Sequence, residues 1–189
     1  MWSQPRNTIR DIAFNRPRFG VYFLASIYAL QGFFFYANWW SLGIRERYPL
    51  YLALGIVLSP LVGILWLYLT GALFYLSGKL FHGQASLLQI RALVAWSAIP
   101  FTITLVMWLL LLFYTPEYTF IQESGPYSSI FINTITLMVK IWSFVLLIQS
   151  LREVQRFSLR VAIINILIVW FISWILFFVA FSLIRLIVI

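Results

Sequence analysis

LYLALGIVLSPLVGILWLYLTGALFYL, residues 50–76, carries no charged side chain over its whole length. A hydrocarbon core of about 30 Å is crossed by about 20 apolar residues in a helix, so this run alone predicts a transmembrane span. Four more apolar runs flank it, at about residues 19–40, 87–114, 129–149 and 161–184. The sequence therefore predicts an all-α, polytopic membrane protein built as a bundle of five transmembrane helices. Its membrane domain covers residues 19–189 and follows an N-terminal segment, 1–18. Composition agrees: 63% of residues are hydrophobic and 10% charged, against about 45–50% apolar in soluble domains. The runs at 50–76 and 87–114 exceed about 20 residues, which predicts tilt or a kink. Pro60 and Pro100 lie inside them, and each removes a helical hydrogen bond and crowds the preceding turn.

The first 18 residues hold Arg6, Arg10, Arg16 and Arg18 and lack the apolar core and small-residue cleavage site of a secretory signal. The run after Arg18 is accordingly expected to be a retained span. Within the segment, Thr8–Phe14 follows Asn7, a good N-cap, and stops before Pro17. Ile9, Ile12 and Ala13 share one face by spacing, which, with Trp2, predicts a short interfacial helix in the headgroup region. The plainer alternative is a basic tail.

The net charge of +8 does not point to nucleic acid, because the basic residues gather at the ends of the apolar runs. Nine of the 13 lie in the N-terminal segment, after the second run (Lys79, Arg91) and after the fourth (Arg152, Arg156, Arg160). Arg45, Arg47 and Arg185 lie on the other side, the loop at 115–128 has only Glu117 and Glu123, and Lys140 falls within a run. The excess predicts a cytoplasmic N-terminus and an outside C-terminus. Trp39, Trp40, Tyr48 and Tyr51, and separately Tyr114, Tyr118 and Tyr127, fit aromatic belts at the outer boundary.

No catalytic, metal or cofactor site is legible. There is no cysteine, and His82 is the single histidine. Ser77-Gly78-Lys79 matches the end of a phosphate-binding loop only in part, with Leu73 at the first glycine and Leu80 at the Ser/Thr. The five acidic residues, Asp11, Glu46, Glu117, Glu123 and Glu153, are scattered outside the runs. Lys140 is the candidate intramembrane residue: mid-span lysine costs about 2.5–3.5 kcal/mol on insertion scales. It either snorkels or bonds to carbonyls and groups such as Gln31, Asn38 or Asn165, or it meets an anionic headgroup or a wet cleft. Gly55, Ser59 and Gly63 recur every fourth residue with Gly71 beyond, a pattern for close helix packing inside one chain or at a homo-oligomer seam.

Two stretches resemble the Yip family, named for interaction with Ypt/Rab GTPases, and particularly its prokaryotic relatives. One is Gly83-Gln84-Ala85-Ser86 leading to Ala95-Trp96-Ser97-Ala98-Ile99-Pro100. The other is Ile141-Trp142-Ser143 leading to Leu151-Arg152-Glu153-Val154-Gln155-Arg156-Phe157-Ser158, and the opening Pro5–Arg10 before Pro17 is also similar. The resemblance implies five spans and a cell membrane location, for a prokaryotic member the bacterial inner membrane. Eukaryotic members carry a long cytoplasmic N-terminal region with an Asp-Leu-Tyr-Gly-Pro type motif that this sequence lacks, so GTPase binding and vesicle traffic are not carried over.

The expected function is a non-enzymatic membrane protein that organises protein or lipid partners, without a cofactor. Its contact face would be Arg152, Glu153, Gln155, Arg156 and Ser158 with Lys79 and the N-terminal arginines, drawing anionic lipid at about 1 kcal/mol per basic side chain. The alternative is a small transporter or lipid-translocating protein with a path near Lys140. An enzyme would need a second subunit to supply the missing groups.

Overall fold

A computed structural model describes residues 5–44, 48–116, 118–122 and 126–188. Its elements are α1 (Pro5–Asn15), α2 (Val21–Trp39), a 3-10 turn (Leu42–Ile44), α3 (Tyr48–Leu80), α4 (Leu87–Ser97), α5 (Phe101–Tyr114), α6 (Pro126–Gln155) and α7 (Leu159–Val188). Helices are what a chain in lipid must form, because hydrocarbon offers the backbone no hydrogen-bond partner.

Among the described residues, three helical segments are long and apolar enough to cross a membrane: Leu52–Leu80, Ile130–Gln155 and Leu159–Leu176. The pair α4–α5, bent by 44°, makes a fourth if it counts as one span. The remaining expected span, α2, falls below that measure. It is 19 residues long, and Gln31, Asn38, Tyr22, Tyr28 and Tyr36 dilute its apolar character.

The bend follows from Pro100. With no N–H it cannot donate to Trp96, and the chain changes to shorter bonds: Ala98 N–H to Ala95 O, Phe101 N–H to Ala98 O and Thr102 N–H to Ile99 O. Ser97 O thereby loses the donor that a continuous helix would give it. Ser143 Oγ of α6 donates to it instead, at 2.8 Å. Pro60, by contrast, lies inside the unbroken α3.

α2 packs along α3, and the small-residue stripe explains how. Gly55, Ser59, Gly63, Leu67 and Gly71 are buried on one face, while Val57, Leu61 and Leu65 stand exposed on the other. A Cβ on Gly63 would lie 2.6 Å from the Ala25 carbonyl carbon and 2.9 Å from Ser26 N. Both are backbone atoms of α2, so nothing there can rotate away. On Gly55 it would meet Phe33 Cδ1 at 2.8 Å. The stripe is thus filled at Gly55 and Gly63 by α2 of the same chain.

Two details correct the sequence reading near the N-terminus. α1 begins at Pro5, so Asn7 lies within the helix rather than capping it. Its apolar face does not lie against headgroups: Ile9 is 1% and Ala13 0% exposed, and the helix packs on α4 and α6. Ile9 and Ala13 join Leu67, Phe74, Leu93, Leu151 and Ile166 in the larger core, at the end of the bundle that carries most of the arginines. A smaller core of Phe34, Trp108, Phe120 and Ile132 holds the opposite end. Arg91 belongs to α4 and not to the loop before it, and its guanidinium lies 3.8 Å from the centre of the Tyr68 ring. Trp2, Arg45, Glu46, Arg47, Glu117 and Glu123 lie outside the described residues.

Candidate functional site

The basic end is assembled around one side chain, Gln155. α3 ends in a Schellman turn: Gly83 N–H donates to Gly78 O at 2.8 Å and His82 N–H to Lys79 O at 3.1 Å, with His82 left-handed at φ 59°. The solitary histidine is therefore a helix terminator. α4 then starts with a capping box, Ser86 Oγ accepting from Gln89 N–H and Gln89 Oε1 from Ser86 N–H. Gln155, at the end of α6, inserts its amide between Gly78 and Gly83, where any Cβ would collide with it. Its Oε1 accepts from Ala85 N–H at 3.4 Å and its Nε2 donates to Phe74 O at 3.5 Å. Beside it, Asn165 Nδ2 donates to Ser77 Oγ at 2.9 Å.

Gln155 was expected on the contact face, yet it is 3% exposed and unavailable to a partner. Ser158 accepts from Val161 N–H at 3.4 Å and so caps α7. Ser158 is nonetheless exposed, and the other three members of that set also reach the surface. Arg156, left-handed at φ 57°, joins Arg10, Phe14, Arg152, Glu153 and Phe157 around a recess of about 300 Å³. Arg10 Nε lies 3.7 Å from Glu153 Oε1, and Arg152 Nη1 is 3.4 Å from Gln149 Oε1. Arg152 Nε is buried without a hydrogen-bond partner among the described residues. Three guanidiniums against one carboxylate leave the recess positive.

A second, larger space lies mid-bundle. A cleft of about 460 Å³ opens among α2 to α7, with Phe35, Trp66, Phe74, Phe101, Phe144 and Trp170 forming much of its wall. Among the described residues Lys140 is its sole charged lining residue, and its Nζ stands 4.7 Å from the centre of the Phe35 ring. Gln31, one turn before Phe35 on α2, also lines it, as do Ser143 and Thr70. Pro100 lies at the α4–α5 bend, between the lining residues Ala98 and Phe101 in the chain. Among the described residues no three His, Cys, Asp or Glu come together as metal ligands.

These elements define a multi-pass helical membrane protein. The sequence profile of the Yip1 domain matches residues 1–181, and the chain belongs to the Yip1 domain family. No curated protein and no solved structure matches it significantly. The resembling stretches read from the sequence meet in the fold: Gly83 and Ala85 against Gln155, and Ser97 against Ser143. The sequence signal for the first meeting was the pair of glycines flanking the α3–α4 turn; nothing in the sequence marked their partner.

Proposed function

We propose that this protein is a non-enzymatic membrane organiser that holds anionic lipid at its basic end, where protein partners would also dock. The recess of Arg10, Arg152 and Arg156 carries this reading. Guanidinium groups bind phosphate through paired, charge-assisted hydrogen bonds, and Phe14 beside them is exposed, ready to dip into acyl chains. In this reading the basic end faces the cytoplasm of a bacterial inner membrane, and α2 is the fifth span. Its 19 residues rise about 28 Å at 1.5 Å each, close to the thickness required. A translocation path is not part of the reading, because one cation among aromatic rings provides no continuous polar lining.

The test is native mass spectrometry of protein purified from membranes containing phosphatidylglycerol. Arg152→Gln with Arg156→Gln should lower bound phosphatidylglycerol several-fold while thermal stability holds. Unchanged lipid in the folded double variant would remove the proposal. Orientation is checked separately: reporters fused at Gly83 or Arg156 should be active only inside, and one fused after Ile189 only outside.

A further inference from the structure

We infer that the mid-bundle cleft is a binding site for a long-chain carboxylic acid drawn from the bilayer. The inference depends on neither the arginine recess nor the orientation. Its first support is an asymmetry of chemistry. The wall is mostly aromatic, and among the described residues its one charged member is Lys140, itself exposed, with no carboxylate beside it in the lining. Every acidic residue of the chain lies outside the apolar runs. A charge at this depth is held favourably when an opposite charge comes to it.

The second support is Gln31. It is 4% exposed and lines the cleft, and no hydrogen bond ties its amide to a described residue, while its polar atoms are not sealed from the open space. An amide that meets open space inside an apolar bundle depends on what enters that space for its hydrogen bonds. Gln31 and Lys140 flank Phe35, Gln31 by one helical turn and Lys140 by its ammonium over the ring. An anionic oxygen placed beside Phe35 would accept from both, giving the amide a partner that no described residue supplies and the ammonium, now over a ring, a counter-charge.

Size and route select the ligand. An apolar cavity of about 150 Å³ holds a benzene ring of six carbons. By that scale the 460 Å³ cleft holds about eighteen carbons, which is one acyl chain and not the two of a phospholipid. A carboxylic acid also reaches this depth easily, since it crosses hydrocarbon in its neutral form, whereas a phosphodiester stays at the headgroups. The chain would lie along Trp66, Phe74, Phe144 and Trp170, away from the polar end.

The probe is brominated stearic acid, which quenches nearby tryptophan, added to the intact protein in phosphatidylcholine nanodiscs. Trp66 and Trp170 in the wall supply the signal. Saturable quenching is expected, with the methyl ester of the same acid binding at least about tenfold more weakly, as loss of a charge-assisted contact predicts. Lys140→Met should weaken the acid by a similar factor, Gln31→Leu by less, and Lys140→Arg least. Phosphatidylglycerol should not displace the acid. Equal binding of acid and ester by the wild-type protein would overturn the inference without any variant. So would displacement by phosphatidylglycerol at comparable concentration, which would make the occupant a phospholipid. Loss of lipid at the arginine recess leaves all of these outcomes readable.

Discussion

Gln155 and Gln31 are buried almost equally, at 3% and 4% exposure, yet they do opposite things. Gln155 is locked: two glycines make room for it, and it joins the ends of α3, α4 and α6. Gln31 sits in a wall with open space before it and no hydrogen bond to a described residue. Burial therefore does not separate a structural amide from a site amide here; the partner does. Where the chain supplies donors and acceptors at both ends, the amide is a fastener. Where it supplies none, a ligand is the natural complement.

The contrast can be broken most forcefully through the wall that both regions share. Gly63→Leu would drive a branched side chain into the backbone of Ala25 and Ser26, separating α2 from α3. Overpacking costs about 1–3 kcal/mol in cores that can adjust, and a rigid backbone partner puts this variant at or above the upper end. A fall in melting temperature in detergent, with loss of the cleft, is the expected result; an unchanged melt would mean that α2 does not lie on this stripe.

Gln155→Leu comes next. Phe74 O and Ala85 N–H would lose a partner in a buried site, at about 1–3 kcal/mol, and hydrogen exchange should rise at residues 78–86 before it rises elsewhere. Exchange that rises evenly across the bundle would deny Gln155 its local role.

Ser143→Ala should cost about 1 kcal/mol, because Ser97 O loses the donor from α6. A milder melt shift than for Gln155→Leu is expected, and Ser143→Thr should restore most of it.

The smallest effect separates the two amides directly. Gln31→Leu removes no bond, so stability should stay within about 0.5 kcal/mol or rise. Lys140→Met should behave the same way, keeping the stem and shedding an insertion cost. A loss above about 1 kcal/mol in either would mean that the chain itself satisfies the group.

Much of this fold was legible because lipid imposes one rule on every span. The run at residues 50–76, the small-residue stripe and the Pro100 interruption all came from that rule and from sterics. The apolar face of α1 was also readable from spacing, but not what it packs on, since an amphipathic turn looks alike against lipid or protein. The site was harder. Lys140 stood out by its charge, whereas Gln31 was one polar residue among several in an aromatic helix. Gln155 looked like a surface residue because it follows Arg152 and Glu153, and its burial depends on a turn some 70 residues earlier in the chain. Pairings of that kind are made by docking and leave no local pattern.

The bond from Ser143 to Ser97 bears on how the protein is made. α4 and α5 emerge from the insertion machinery before α6 exists, carrying a carbonyl that hydrocarbon penalises by several kcal/mol when nothing bonds to it. Until α6 arrives, that group must face water, the translocon or another chain. The donor that completes the bent pair is encoded 46 positions downstream.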